Sequence, residues 1–279
     1  MRVRELLSRE KDIGRTDLVA ITAFVLGTTS ERIYIDPGRE LTEEALGRID
    51  RHVAERKKGR PLSYITRTRE FFSEEFRVDE RVLVPRPETE LLVEEALRIM
   101  AEKPGHTSSL RILDMGTGSG IIGITLARHG VAAVTCVDIS GDALLVARDN
   151  AARLGVQDRI ACVRSDLFAG IKPGARFDII VANLPYVSAS EWQELMTDVK
   201  FEPKSALLGG TLGTEIYERF VTDLPRRLGE DGFVLCELGG TTQIEAVGGL
   251  MEGHGLRVHS KKDLAGKDRI LIGSWKSLS

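Results

Sequence analysis

The chain lacks the features that would mark the simplest functional classes. Its three cysteines, Cys136, Cys162 and Cys236, are odd in number, far apart and each set in an apolar run. They form neither a disulfide framework nor a metal-ligand spacing, and read as small core residues. The five histidines, His52, His106, His129, His254 and His259, show no metal spacing either, so no metal is expected. No apolar run approaches the roughly eighteen residues needed to cross a bilayer. The opening Met1-Arg2-Val3-Arg4-Glu5 has charges but no apolar stretch of the kind a secretion signal carries. A cytoplasmic location with no membrane partner is the expectation. A net charge of −3 exerts no global pull on nucleic acid, so a partner of that kind would need a local patch. What remains is an ordinary globular composition, 42% hydrophobic and 29% charged, in 279 residues: one large domain or two modest ones.

Residues 1 to about 65 read as a small helical bundle. Thr16-Asp17 can cap a helix bearing Leu18, Val19, Ile21, Ala23, Phe24 and Val25 and stopped by Gly27. Thr42-Glu43-Glu44 opens another, with Leu46, Ile49 and Val53, stopped by Gly59, and Asp36-Pro37-Gly38 turns the chain between them. The basic run Arg56-Lys57-Lys58 with Arg60 is either a solvated helix end or a docking patch. From Glu70 to Val84 short apolar runs split by charges predict a hairpin. Pro85-Arg86-Pro87-Glu88-Thr89-Glu90 then leads into a helix, since proline and acidic residues suit its first turn.

From Ser109 onward strands and helices alternate, which predicts an α/β fold with a mostly parallel sheet. The first strand, Leu110 to Leu113, runs into Asp114-Met115-Gly116-Thr117-Gly118-Ser119-Gly120 and then a helix through Ile121, Ile124 and Leu126. Glycines at alternate positions permit a tight turn and close approach of a ligand to the backbone. A second strand, Val131 to Val137, ends in Asp138, eighteen residues past Gly120 and placed to accept hydrogen bonds from ribose hydroxyls. A third, Arg159 to Arg164, is followed by Ser165-Asp166-Leu167-Phe168, a turn able to receive the amine and ring of adenine. The buried run Phe177 to Ala182 closes on Asn183-Leu184-Pro185-Tyr186, where proline ends the ladder. There the Asn183 side-chain oxygen and the Leu184 carbonyl can each accept one N–H of a planar amine or amide, with Tyr186 covering its face. A further strand is predicted over Gly232 to Glu237, and a closing hairpin at Asp263 to Gly273. Phe201-Glu202-Pro203 and Gly209-Gly210 mark a long loop, a lid or a surface connection.

A dinucleotide fingerprint would place a glycine at position 121, which is Ile, and the loop has no lysine or arginine for a phosphate. Asp-x-Gly-x-Gly-x-Gly instead resembles the first motif of class I S-adenosylmethionine-dependent methyltransferases. Over nearly its whole length the chain resembles the release-factor glutamine N5-methyltransferases of the HemK or PrmC type. The likeness runs through Pro61-Leu62-Ser63-Tyr64-Ile65, Glu70-Phe71, the Pro85 to Glu90 segment, the Asp114 to Gly120 loop, Val137-Asp138-Ile139-Ser140, Asp166-Leu167-Phe168, Asn183 to Tyr186, Phe201-Glu202-Pro203 with Ala206-Leu207 and Gly209-Gly210, and Asp263 to Arg269.

The resemblance implies a Rossmann-like seven-stranded sheet with a closing antiparallel hairpin. It divides the chain into a helical substrate-recruiting domain over 1–68, a β-hairpin linker over 69–85 and a methyltransferase domain over 86–279. S-adenosylmethionine, leaving as S-adenosylhomocysteine, would be held by Asp114, Gly116, Thr117, Gly118, Ser119, Gly120, Asp138, Ile139, Asp166, Leu167 and Asn183. The substrate, the glutamine of the Gly-Gly-Gln loop in class 1 peptide chain release factors, would meet Asn183, Leu184, Pro185 and Tyr186, with Asn183, Leu184 and Tyr186 in the catalytic role. No stable nucleic-acid partner is implied. The family usually reads Asn-Pro-Pro-Tyr, so Leu184 is a departure that keeps the carbonyl and loses rigidity. Thr66 stands where glycine is common, and Gly240-Thr241-Thr242-Gln243 makes its segment one residue longer. Two other readings stay open: an N6-adenine methyltransferase, which shares the Asn-x-Pro-Tyr chemistry, and a non-catalytic cofactor-binding adaptor.

Overall fold

The computed structural model describes residues 1–102, 110–130 and 133–275. Ser109, His106 and the first residues of the predicted second strand, Val131 and Ala132, lie outside the described residues. The chain forms two compact units, one of residues 1–68 with 196–201 and one of residues 69–195 with 202–279.

The first unit carries α1 (Val3–Arg9), α2 (Arg15–Leu26), α3 (Ser30–Ile35), α4 (Glu43–Lys57) and α5 (Leu62–Thr66). Its core gathers Val3, Leu6, Leu18, Ile21, Ile33 and Ile49. Thr42 caps α4 by accepting from the Ala45 N–H at 3.1 Å, and Gly27 ends α2 in the left-handed region. The start of α2 differs from expectation. Gly14 is its N-cap, and Asp17 sits inside the first turn, where it pairs with Arg56 at 2.6 Å. Of the basic run, Lys57 bridges Asp12 at 2.6 Å and Glu10 at 3.1 Å, and Arg60 lies 3.9 Å from Glu55.

The second unit opens with a hairpin of β1 (Thr68–Phe71) and β2 (Glu74–Arg77). Phe72 and Ser73 turn it at φ of 52° and 59°, the positive values a two-residue turn requires. The hairpin is shorter than the sequence suggested. Residues 78–87 are irregular, because Pro85 and Pro87 cannot donate to a ladder and Asp79 draws the Arg81 and Val82 N–H groups into a turn.

Next come α6 (Glu88–Ala101), β3 (Arg111–Met115), α7 (Ile121–Gly130), β4 (Ala133–Asp138), α8 (Gly141–Arg153), β5 (Ile160–Arg164) and β6 (Phe177–Ala182). The expected long loop holds β7 (Val187–Ser188), α9 (Ala189–Glu194) and β8 (Leu208–Gly210), with β7 and β8 paired in parallel. The chain closes with α10 (Glu215–Arg227), β9 (Leu228–Glu237), α11 (Thr241–Gly253), β10 (Arg257–Lys262) and β11 (Asp268–Ser274). The helix α10 was not anticipated, although Tyr217, Phe220, Val221 and Leu224 follow helical spacing and are buried.

The main sheet has seven strands in the order β10-β11-β9-β6-β3-β4-β5, all parallel through β9 and closed by antiparallel β11 and β10. Alternation along the strands sends side chains to two cores. Ile112, Ile179, Val181, Leu235, Ile270 and Ile272 pack with α6 and α7. Leu113, Ile180, Ala182, Cys236 and Leu271 pack with α10 and α11 on the opposite face. Three layers result.

The packing of α7 onto β3 and β4 leaves no room at Gly123. A Cβ there would lie 2.6 Å from Cys136 Sγ and 3.0 Å from Asp114 Oδ2, both buried. Gly123→Ala is expected to destabilise the protein by about 1–3 kcal/mol, read as a lower urea midpoint with an unchanged slope.

Candidate active site

The central strand β3 has β4 on one side and β6 on the other, so the sheet's topology reverses there. Ligands in open α/β sheets bind at such a point, beyond the carboxyl ends of the strands. Register aligns those ends: Met115 stands opposite both Val137 and Ala182, and Asp138 opposite Arg164. The glycine loop, Asp138, Ser165 and Asn183 therefore emerge side by side.

Asp114 shapes the loop from below. Its Oδ2 accepts the Thr117 hydroxyl at 2.6 Å and the Gly123 N–H at 2.9 Å, tying the end of β3 to the start of α7. Burial pushes its carboxyl up to about 6 against these two bonds, and Oδ1 is buried without a partner. The Gly116 and Thr117 N–H groups both donate to the Val137 carbonyl, at 2.8 and 2.9 Å. Gly116 has φ of +75°, and a Cβ there would meet Leu184 Cδ2 at 3.0 Å and the Asn183 carbonyl oxygen at 3.3 Å. Glycine is what lets the two motifs close on each other.

Asp138 accepts the Gly118 N–H on Oδ2 at 2.9 Å and the Ser140 N–H on Oδ1 at 2.8 Å. Burial raises its carboxyl above the usual range while backbone donors oppose the shift. With three backbone donors, from Ser140, Gly118 and Ile139, facing it, the carboxylate keeps acceptor capacity for a hydroxyl. On the far side Ser165 donates its N–H to the Asp138 carbonyl, and Leu167 is held at φ of 47° with its carbonyl accepting from the Ser165 hydroxyl. A bulky residue in that region carries strain of the kind found at ligand sites.

At the end of β6 the Asn183 amide donates from Nδ2 to Thr89 Oγ1 at 3.2 Å, which leaves Oδ1 as its free acceptor edge. The Leu184 N–H donates to the Tyr217 hydroxyl at 3.1 Å. Glu202, 4% exposed, accepts from the Val84 N–H at 2.9 Å and from Arg86 at 2.5 Å, fastening the irregular segment beside the site.

These groups enclose a cavity of about 360 Å³. Of the residues expected from sequence, Gly116, Thr117, Gly118 and Ser119 line it from the first loop, Asp138 and Ile139 from the second strand end, and Asp166 and Leu167 from the third. Asn183, Leu184 and Pro185 complete that wall. Asp114, Gly120 and Tyr186 stand behind it. Asp114 is fully buried beneath the loop, and Gly120 faces Ile124 and Ala147. Tyr186 turns its hydroxyl toward Glu237 Oε1 at 3.4 Å, and burial raises its phenol well above the usual range. The residue is partly buried and packs against the core on the α10 and α11 face of the sheet.

Val82, Leu83, Ile216 and Arg219 also line the cavity and carried no motif in the sequence. The signal available for the last two was the amphipathic pattern of α10. Three arginines border the cavity, and each is paired: Arg81 with Asp79 at 2.6 Å, Arg86 with Glu202 at 2.5 Å and Arg219 with Asp166 at 2.7 Å. A phosphate would have to break one of these pairs to be held by a guanidinium.

Two family profiles match the chain, PrmC N-terminal domain over residues 2–66 and Methyltransferase small domain over residues 89–207. The release factor glutamine methyltransferase of Rhodopirellula baltica is 40% identical over 265 residues, covering 92% of this chain and 88% of that protein. The protein of the same name from Bacillus subtilis is 38% identical over 267 residues, covering 93% and 92%. The chain belongs to the release factor glutamine methyltransferase family.

Among solved structures, the human METTL16 catalytic domain in complex with the MAT2A 3′UTR hairpin 6 has a TM-score of 0.60 at 17% identity, covering 77% of this chain and 81% of that one. The ribosomal protein L11 methylase of Lactobacillus delbrueckii subsp. bulgaricus has a TM-score of 0.53 at 24% identity, covering 75% and 90%. At such identities the likeness is one of fold. It is the class I methyltransferase fold, and its cofactor is S-adenosylmethionine. The residues present fit that group: glycine at the closest approach, a carboxylate with lone pairs to spare at Asp138, and arginines already neutralised. Among the described residues no helix is long and apolar enough to cross a membrane.

Asp114 makes stability depend on pH. Its carboxyl holds a proton to about 6 in the folded chain against an ordinary value of 3.8, so between those values the unfolded chain ionises first and stability falls as pH rises. The full effect is roughly 3 kcal/mol, complete above the folded value. Urea unfolding of the wild type and Asp114→Asn across this range is expected to show the difference between them shifting against the wild type from about pH 4 to 6 and then levelling.

Proposed function

We propose that this chain transfers a methyl group from S-adenosylmethionine to the side-chain amide nitrogen, N5, of the glutamine in the Gly-Gly-Gln loop of class 1 peptide chain release factors, modulating translation termination. The observation that carries the reading is the placement of Asn183-Leu184-Pro185 on the cavity wall against Gly116, within a chain alike over nearly its full length to proteins named for this reaction. When bound, the cofactor supplies a sulfonium methyl that is already strongly electrophilic. The difficulty lies in the carboxamide nitrogen, whose lone pair is delocalised into its carbonyl.

The protein's task is to hold that nitrogen. With Nδ2 of Asn183 occupied by Thr89, Oδ1 accepts one amide hydrogen and the Leu184 carbonyl accepts the other. Both acceptors favour the positive charge that grows on nitrogen, each contributing roughly 1.5–3 kcal/mol. Alignment of the reacting atoms contributes more, up to ~7–11 kcal/mol. No base has to act before the methyl moves, so acid–base chemistry is secondary. Asp138 is assigned to the ribose hydroxyls and Asp166 with Leu167 to the adenine. Pro185 stiffens the substrate-binding turn, and Tyr186 backs it.

The proposed domain organisation follows: residues 1–68 recruit the release factor, 69–85 link, and 86–279 carry the reaction. The setting is the cytoplasm, where release factors meet the ribosome. Transfer of labelled methyl to a purified class 1 release factor, beside a version with Gln→Ala in its Gly-Gly-Gln loop and an adenine-rich oligonucleotide, tests the assignment. Label on the intact factor alone is expected; label on the oligonucleotide would establish the adenine reading instead. Asn183→Ala is expected to lower turnover by roughly 10²–10³-fold while S-adenosylhomocysteine still binds, and unchanged turnover would refute the catalytic role.

A further inference from the structure

Where the ladder between β6 and β9 ends, at the pair Ala182 and Cys236, a side chain takes over from the backbone. Tyr217 of α10 is fully buried, and its hydroxyl accepts from the Leu184 N–H at 3.1 Å and donates to the Glu237 carbonyl at 2.6 Å, with the Ala182 carbonyl at 3.3 Å. It stands in as one more rung between the two strands. The ring is held by packing on Phe220, centroids 6.2 Å apart and nearly perpendicular.

A rung there decides the orientation of a peptide plane. In a trans peptide the N–H of Leu184 and the C=O of Asn183 point in opposite directions. Anchoring the N–H toward β9 sends the Asn183 carbonyl toward β3, where it lies 3.3 Å from the position a Gly116 Cβ would occupy. The Asn183 side chain and the Leu184 carbonyl flank that plane, so the hydrogen bond fixes the peptide from which both acceptors extend. A proline at 184 would limit the backbone by its ring and would carry no N–H. Leucine loses that restriction and adds a donor.

We propose that Tyr217 is a positioning residue for methyl transfer, holding the Asn183–Leu184 peptide through the Leu184 N–H, a donor that a proline at this position would lack. The proposal rests on the glutamine-methylation reading for its effect on rate, and on the hydrogen bond alone for its effect on structure. Tyr217→Phe keeps the ring and removes the rung. In the otherwise wild-type chain it is expected to lower kcat on a class 1 release factor by roughly 10- to 100-fold, with KM for the factor and S-adenosylhomocysteine affinity changed far less. In a Leu184→Pro background, where there is no N–H to hold, the same change is expected to alter kcat by under about threefold. Equal losses in both backgrounds, or no loss in the first, would overturn the proposal.

Amide hydrogen exchange of ¹⁵N-leucine-labelled protein provides a reading independent of any substrate. The Leu184 N–H is expected to exchange at least about tenfold faster in Tyr217→Phe while other core amides of β6 and β9 keep their protection. Unchanged Leu184 protection would overturn the clamp whether or not the release factor is methylated. Absence of methylation by the wild type, with Leu184 protection lost in the variant, would place the error in the substrate and leave the clamp standing.

Discussion

The site depends on register around β3. Because Met115 pairs with Val137 on one side and Ala182 on the other, the ladders that β3 makes with β4 and β6 end at the same level. The chain must turn away at each end, and the groups that follow, glycine loop, Asp138 and Asn183, face one volume. A slip of one residue in any of these pairings would turn every side chain of that strand to the opposite face and exchange the two cores. The apolar packing that fixes the register, Ile179 and Val181 on one face and Ile180 and Ala182 on the other, is therefore also what places the chemistry.

Electrostatics around the cavity follow a consistent scheme. Carboxylates are held by backbone N–H groups or arginines, and the arginines are held by carboxylates. Glu202 illustrates the cost of the alternative: nearly buried, it would be an uncompensated charge without Arg86 and the Val84 N–H. What remains exposed to a ligand is mostly neutral or an acceptor, which suits a sulfonium and an amide and disfavours a phosphate. Asp114 is the exception, since its unpartnered Oδ1 and raised carboxyl put a strained group directly under the glycine loop.

Tyr217 and Leu184 show how the turn after β6 is held without a proline at residue 184. The leucine side chain is absorbed into the core beside α10, and its extra N–H is met by a hydroxyl already placed to bridge β6 and β9. The rigidity that a proline ring builds into the chain locally is here distributed over a contact between two elements.

Much of the site could be read directly. The glycine spacing, the acidic strand end and the Asn-Leu-Pro-Tyr turn are local patterns, and local patterns report on strand ends, tight turns and donor–acceptor chemistry. So did the alternation of strands and helices, which implied the parallel sheet. Other contributions escaped because they depend on partners far apart in the chain. Glu202 meets Val84 across 118 residues, Leu184 meets Tyr217 across 33, and α10 carries Ile216 and Arg219 into a cavity no motif connects them with. Asp114 looks like a ligand residue in the motif, and the fold buries it fully beneath the glycine loop. The sequence alone determined which chemistry the chain carries and to which family it belongs, since residue type and short-range spacing suffice for that. Only the tertiary structure decided which members of each motif line the cavity and what holds them, because that follows from ladder register and from which buried polar groups find partners.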